Sequence, residues 1–262
     1  MSASTLTQAA AFVQDARLPS VRRGGADTLD LAPPAFDASK DQAIVAGSGV
    51  VSFKSGISAS RRQAVADSLL LAQLVLKHDN ISPDDSENWY RGYGRVLANL
   101  GWLVETCEMT AYESGGSDID VHQALLSVAA ALLGPGAVAA APLIDATLKA
   151  LSSMDTSTPW IKLFNRESRR TTAASFQIAL ADPGPADAGD SLTVSLMAFS
   201  LSANMNLTQV LFVKVRNNQA ELKRLSTKAA INLAVLDGVQ GTLQQKVASF
   251  TSNYLSSLPD LS

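Results

Sequence analysis

The sequence predicts an α+β fold in which N-terminal helices, including an apolar helical hairpin, precede a mainly antiparallel β-meander and a C-terminal amphipathic helix. Apolar residues recur at helical spacing through residues 60–155. From about residue 171 they alternate with small or polar neighbours, as at Phe176 and Ile178, which is the period of a strand. Helical spacing returns at Leu243, Val247 and Phe250. Alternating βαβ units are not evident, which favours an antiparallel sheet.

Composition indicates a globular chain with a substantial core. The chain has 262 residues, of which 47% are hydrophobic, enough to bury a large apolar interior. We expect a single domain over 46–262, helix-rich at 58–155, sheet-rich at 160–232 and closed by a helix at 238–257. Residues 1–45 combine turn signals with small polar residues and predict an arm that is either flexible or pinned to the domain.

Capping signals place the first helices. A short strand is expected at Val50–Lys54. Ser60 and Gln63 then have the spacing of a capping box, and Ser82-Pro83 is typical of the start of the next helix. Both helices carry an apolar stripe, as expected for elements that cover a core.

A run without Asp, Glu, Lys, Arg or His extends from Ala124 to Ile144. Gly134-Pro135-Gly136 interrupts it, because proline cannot continue a helix and glycine favours a reversal. The run is therefore predicted to be a hairpin, with one arm over Asp118–Leu133 and a second beginning at Pro142. At ~1.5 Å per residue the arms are about 24 and 18 Å long, so neither spans a hydrocarbon core of ~30 Å.

This hairpin has two interpretations. It is either a buried pair of helices in a soluble core, or a segment that leaves the core and enters a membrane. The second interpretation resembles, in general pattern only, the apolar hairpins of α-helical pore-forming toxins. Its candidate membrane or partner contacts are apolar residues on both arms: Leu125, Leu126, Leu132, Leu133, Leu143 and Ile144.

The remaining strand predictions come from aromatic and β-branched enrichment. Asn204-Met205-Asn206 is expected to form a tight hairpin between two of them. The predicted strands are Trp102–Tyr112, Trp160–Phe164, Leu192–Ala203, Leu207–Arg216 and Ala220–Ile231.

No residue pattern predicts a catalytic, cofactor or metal site. Asp118, Asp120 and His122 offer three ligand types in five residues, but positions two apart on a helix point in different directions, so helix capping explains the acids better. The single cysteine, Cys107, excludes an intrachain disulfide and is expected to be a small buried residue.

Basic residues cluster before the predicted sheet, at Lys162, Arg166, Arg169 and Arg170. Residues 160–228 hold nine basic and five acidic side chains, whereas residues 79–155 hold three basic and eleven acidic ones. The cluster is either a solvated loop or a contact for an anionic partner such as lipid head groups or an acidic protein.

Three functional hypotheses follow. The leading one is a non-enzymatic soluble protein that acts through protein binding or self-association, since recognisable chemistry is lacking. The alternative is an exported effector or toxin whose hairpin at 124–144 enters membrane lipid. The third is a hydrolase whose site is assembled from distant residues.

Charge and the N-terminal sequence bear on partners and location. The formal net charge of −3 gives no basic footprint, so nucleic acid is not expected as a partner. The first twenty-five residues lack the apolar region of a secretory signal peptide. We therefore expect a cytoplasmic protein by default, with non-classical export as the alternative.

Overall fold

The computed structural model describes residues 3–20, 31–105, 108–134, 141–152, 158–183 and 191–258. Cys107 and two residues of the predicted reversal, Pro135 and Gly136, lie outside this described part.

Seven helices lie within the described residues. They are α1 (Ala3–Asp15), α2 (Ala59–His78), α3 (Ser86–Asn99), α4 (Val121–Leu133), α5 (Ala141–Ser152), α6 (Pro159–Ser168) and α7 (Leu233–Tyr254). The strands are β1 (Gln42–Ala46), β2 (Gly49–Phe53), β3 (Trp102–Val104), β4 (Thr110–Ala111), β5 (Asp118–Asp120), β6 (Ala173–Asp182), β7 (Thr193–Ala203), β8 (Lys214–Arg216), β9 (Ala220–Ile231) and β10 (Leu255–Ser257).

Eight strands form one twisted sheet in the order β10-β1-β2-β6-β7-β9-β3, and β4 also pairs with β9. β2 and β6 run parallel, whereas the other pairs of this sheet are antiparallel. β5 and β8 form a separate two-stranded sheet. The prediction of an α+β fold with a mainly antiparallel sheet is confirmed.

Helices cover both faces of the large sheet. Because neighbouring strand residues point to opposite faces, Ile178 and Leu180 of β6 contribute to one core and Ala179 and Ala181 to the other. Residues of α2, α3 and α7 pack on the Ala179 side. Residues of α4, α5 and α6 pack on the Ile178 side, which is called the hairpin face below.

The strand predicted at Trp160–Phe164 is wrong, because these residues belong to α6. Pro159 occupies the first turn of this helix, where its missing N–H costs nothing. Trp160, Leu163 and Phe164 are spaced at i, i+3 and i+4, so all three reach the core of the hairpin face. A five-residue apolar window does not distinguish this stripe from a buried strand.

The strand predicted at Leu207–Arg216 is also wrong, since only Lys214–Arg216 is a strand and it pairs with β5. β7 pairs instead with β9, from Thr193 opposite Ala230 to Ala203 opposite Ala220. The cost of closing a loop grows slowly with its length. Pairing of β7 with the distant strand β9 over eleven positions is therefore favoured over the predicted hairpin, in which a tight turn at residues 204–206 would pair β7 with the segment that follows it.

The strand predicted at Trp102–Tyr112 is shortened to β3 and β4, both paired with β9. The predicted caps also move: Ser58 caps α2 in place of Ser60, and Asp85 caps α3 in place of Ser82.

Parts of residues 1–45 contribute to the packed structure. α1 packs against α7 and buries Ala9 and Val13. β1 lies between β2 and β10 in the large sheet.

The closing helix begins at Leu233, five residues before the predicted start, because Asn232 accepts a hydrogen bond from the Val235 N–H and caps it.

Candidate functional site

The apolar run forms the helical hairpin that the sequence predicts, with α4 and α5 as its two arms. Asp120 begins α4 by accepting a hydrogen bond from the Gln123 N–H at 3.2 Å. Gly134 ends it in the left-handed region, with φ of 72°. A residue with a β-carbon would be strained at that position.

One side of each arm is buried against the sheet. On α4 the buried side chains include Ala124, Leu125 and Val128, and on α5 they include Ile144 and Leu148. They belong to one apolar cluster with the strand residues of the hairpin face. The hairpin is thus the cover of an apolar sheet face.

The six predicted contact residues fall into two groups. Leu125, Leu143 and Ile144 are buried at 5% exposure or less. The other three, Leu126, Leu132 and Leu133, are half-buried and pack at the margin of the same cluster. As folded, the hairpin presents its apolar side to the protein.

Polar ties between the hairpin and the rest of the chain lie near its base. Lys214 Nζ is 3.0 Å from Asp120 Oδ2, and the Val121 N–H donates to the Val213 carbonyl at 3.1 Å. The remaining tie within residues 120–134 and 142–148 joins the hydroxyls of Ser52 and Thr147, 2.9 Å apart and buried. Apolar contacts therefore supply most of the attachment of this layer.

The opposite face is held differently. Arg61 forms an ion pair with Asp237 across α2 and α7 at 3.0 Å. Arg62 is fully buried there and donates hydrogen bonds to the carbonyls of Ile57, Lys40 and Lys54. Separating that layer from the sheet would break the hydrogen bonds of Arg62 to the Lys40 and Lys54 carbonyls, which are charge-assisted and therefore stronger than neutral ones.

The base of α4 contains the three residues considered as metal ligands. Asp118 lies in β5, Asp120 caps α4, and the His122 ring packs on Phe212 with centroids 5.1 Å apart. Partial burial alone would raise the pKa of Asp120, but hydrogen bonds from Lys214 and the Gln123 N–H lower it below its usual value. Among the described residues no three potential ligands converge on a metal position.

Two of the four basic residues that the sequence predicts to contact an anion are hydrogen-bonded to other parts of the chain. Arg166 donates to Glu167 at 2.8 Å and to the Asn253 carbonyl at 2.6 Å. Arg169 donates to a backbone carbonyl, that of Leu207, at 2.6 Å. Lys162, Arg169 and Arg170 are exposed, whereas Arg166 is half-buried. Three of the four cations are therefore accessible to solvent, and an anion contact there stays a prediction.

Sequence reasoning missed Ser52 and Thr147. Thr147 lies within the apolar stripe of α5, between Ile144 and Leu148. Its hydroxyl donates to the Leu143 carbonyl at 2.7 Å, four residues earlier in the same helix. Ser52 is therefore a second partner, which was not predictable because it lies ninety-five positions away.

Across the described residues, no helix combines the length and apolarity needed to cross a membrane.

No protein-family model matches the chain, and no curated protein matches it. Solved structures similar to it include a delta-endotoxin at 11% identity, covering 82% of this chain and 90% of that chain with a TM-score of 0.38. The Evf virulence factor has 10% identity, coverage of 94% and 90%, and a TM-score of 0.36. The activated Cyt2Ba monomer from Bacillus thuringiensis subsp. israelensis has 12% identity, coverage of 54% and 79%, and a TM-score of 0.26. At TM-scores below 0.5 these similarities carry no argument about activity.

Proposed function

We propose that the protein is a membrane-active effector or toxin whose α4–α5 hairpin leaves the sheet and enters one leaflet of a bilayer. The observation that carries this proposal is the nature of the hairpin's attachment. Residues 120–134 and 142–148 of the hairpin are held by apolar packing and by polar ties at Asp120, Val121 and Thr147. Lipid can replace apolar contacts, whereas it cannot replace a network of charged hydrogen bonds.

Helix length supports insertion into a single leaflet. α4 has 13 residues and α5 has 12, which at ~1.5 Å per residue correspond to about 20 and 18 Å. These lengths fall short of a ~30 Å core. Amphipathic helices of this kind lie in the interface, with the apolar side about 5–10 Å into the acyl boundary.

The cations on the hairpin face support the proposal that the target membrane carries anionic lipid. In β9, Arg224 pairs with Phe199 and Lys228 with Ser195. Strand residues two apart share a face, so both cations lie on the side of Phe199, which belongs to the hairpin-face core. Lys162 of α6 is exposed on the same side. Each basic residue near an anionic surface contributes about 1 kcal/mol of attraction.

Leakage of dye from vesicles tests this function. We expect the protein to release dye from vesicles containing phosphatidylglycerol, and to float with them, at some pH between 4 and 8. Leu126→Lys places a charge on the half-buried side of α4 and is expected to reduce leakage at least tenfold, since a charged side chain costs roughly 3 kcal/mol in hydrocarbon.

Ser127→Lys provides the matched control. It adds the same charge at the next residue, which is exposed and lies about 100° further around α4, beside the exposed Gln123. Leakage should stay within about twofold of the original protein because this polar strip faces the head groups. Thermal melts show whether either variant is unfolded. Equal loss in both variants, or no leakage or flotation from any vesicle, would contradict the proposal.

Self-association through the end of the sheet is a second proposal, and it preserves the hypothesis of a protein that works by binding. Leu103 of β3 is 66% exposed at the outermost strand. Exposed strand edges can pair with another chain. The proposed partner is a second copy of this chain.

Light scattering tests this self-association. The measured mass should rise with protein concentration, and it should be lower for Leu103→Lys. A monomer at all concentrations would refute this proposal.

A further inference from the structure

An open cleft lies where the α2–α3 connection meets the outer side of α3. Its volume is about 670 Å³. The polar groups that line it are Asn80 and Ser82 of the connection and Asn88, Arg91 and Arg95 of α3. These side chains are all exposed to solvent.

The walls of this cleft are held in place by backbone contacts. Asn80 adopts the left-handed conformation with φ of 56°, and its N–H donates to the Lys77 carbonyl at 3.2 Å. The Ile81 N–H donates to the Leu76 carbonyl at 3.0 Å. At the floor, a β-carbon on Gly92 would lie 2.6 Å from Leu76 Cδ2, so α2 and α3 meet too closely for a larger residue.

Ser175 fixes the connection from the sheet side. Its hydroxyl donates to the Pro83 carbonyl at 2.9 Å, which joins the loop to β6. The cleft is therefore formed before any ligand arrives, and a rigid site loses less entropy on binding than a flexible one.

The cleft contains two cations without a carboxylate partner. Arg91 and Arg95 are one turn apart, so they are neighbours on the helix surface. Among the described residues, neither guanidinium forms an ion pair within 4.0 Å; Arg91 instead donates to the amide oxygen of Asn88 at 3.3 Å. Arginine donors in a fixed fork match the oxygens of phosphate.

Asp85 is the one acid among the lining residues that the structure describes, and its carboxylate already has donors. It accepts hydrogen bonds from the Asn88 N–H at 3.3 Å and from the Asn88 side-chain amide at 2.5 Å. The carboxylate therefore serves α3 as its cap and forms no ion pair with the arginines, although its negative charge remains in the cleft.

We propose that this cleft binds the phosphate group of a small soluble phosphoester. Arg91 and Arg95 supply the charge, and the side chains of Asn80, Ser82 and Asn88 supply hydrogen-bond donors. A soluble ligand is favoured over a lipid because α2 and α3 cover the face opposite the hairpin. A membrane bound at the hairpin face is on the far side of the molecule. The choice of a soluble ligand over a lipid rests on the function proposed above, whereas the binding of phosphate by the two arginines does not.

Titration of the full chain followed by amide NMR tests the site, with inorganic phosphate, pyrophosphate and glucose 6-phosphate as probes. We expect saturable shifts confined to residues 80–95 for at least one probe. Arg91→Gln/Arg95→Gln should weaken its binding at least tenfold. Asp85→Asn, which still caps a helix, should tighten binding severalfold by removing a negative charge.

Arg17→Gln/Arg216→Gln is the control, because it removes two exposed cations that lie outside the cleft. Its affinity for the probes should equal that of the original protein. Equal weakening in the control indicates nonspecific attraction and overturns the site. So does the absence of saturable shifts with every probe, or binding to phosphatidylglycerol vesicles with no binding of the soluble probes. Circular dichroism melts of each variant establish that loss of binding is not loss of folding.

Discussion

Arg62→Met is expected to lower the free energy of unfolding by about 3–5 kcal/mol, the range for breaking a buried charged network. The Arg62 side chain is fully buried. Its Nε donates to the Ile57 carbonyl at 2.9 Å, and its Nη2 donates to the carbonyls of Lys40 and Lys54 at 2.8 Å. Methionine fills much of the volume but removes the donor of all three bonds, and an acceptor left buried without a donor, as at Ile57, costs about 1–3 kcal/mol.

The surroundings of Arg62 explain why a cation is tolerated there. Burial lowers the pKa of Arg62, while the nearby carboxylates of Asp41 and Asp37 raise it again. The guanidinium also lies 5.6 Å from the centroid of the Phe53 ring, which stabilises a cation. Arg62 therefore joins the segment before β1, the end of β2 and the start of α2.

Urea denaturation at pH 7 measures this effect, with Arg61→Met as the matched control. Arg61 is the preceding residue, and its ion pair with Asp237 is partly exposed; such pairs contribute about 0–1 kcal/mol. The account of the buried network fails if the two variants lose the same stability.

Asp67→Asn is expected to stabilise the protein at pH 8 and to remove most of the pH dependence between 4 and 7. Burial raises the pKa of Asp67 to about 7, and the hydrogen bond from Gln63 lowers it only in part. Its second oxygen, Oδ2, has no hydrogen-bond partner among the described residues. Ionisation of this carboxyl is therefore costly in the folded state.

The sign follows from linkage between protonation and folding. The folded-state pKa lies above the ordinary value, so the unfolded chain loses this proton first, and stability falls as pH rises from about 4 to about 7. The full penalty is on the order of 4 kcal/mol, at ~1.4 kcal/mol per unit. Asparagine avoids it but buries an amide N–H₂ without an assigned acceptor, at a cost of roughly 1–3 kcal/mol. We therefore expect a net gain of about 1–3 kcal/mol at pH 8 and a net loss at pH 4.5.

Denaturation curves at half-unit steps between pH 4.5 and 8 provide the measurement. Asp84→Asn, at an exposed position, should leave the pH profile parallel to that of the original protein. If Asp67→Asn instead keeps the original slope, the Asp67 carboxyl is not the source of the pH dependence.

The hairpin was predictable because its signals are local. A charge-free run, a Gly-Pro-Gly interruption and acidic capping residues predict a first arm over Asp118–Leu133. The structure begins α4 three residues later, at Val121, because Asp118–Asp120 pairs as β5, and it caps the end of α4 at Gly134. The strand β9 was also predicted with its observed bounds, Ala220–Ile231, after the turn residues Asn217 and Asn218. Such features depend on residues within one or two turns of each other.

Strand pairing was not predictable in the same way. β9 lies between β7 and the short strands β3 and β4, and β10 joins the sheet beside β1 from the other end of the chain. These choices depend on ladder length and on burial of both faces, which no short window of sequence records. They also determine which sheet face the hairpin covers.

The phosphate cleft shows the same division. Arg91 and Arg95 have helical i,i+4 spacing that the sequence displays, and they are two of the three basic residues in an otherwise acidic stretch. The cleft itself requires the close crossing of α2 and α3 at Gly92. This helix crossing distinguishes a candidate binding site from a pair of cations on a solvated helix, and it is a tertiary feature that the sequence does not display.

A reversible disulfide between β2 and α5 tests the proposed release of the hairpin most directly. The Ser52 and Thr147 hydroxyls are 2.9 Å apart, so cysteines at these positions lie within reach of each other. The variant Ser52→Cys/Thr147→Cys is made together with Cys107→Ser, and Ser52→Cys with Cys107→Ser is the control. We predict that the oxidised double-cysteine protein fails to release dye from phosphatidylglycerol vesicles, that reductant restores release, and that the control leaks under both conditions. Equal leakage from the oxidised and reduced forms, with the disulfide verified by mass spectrometry, would contradict a hairpin that must leave the sheet.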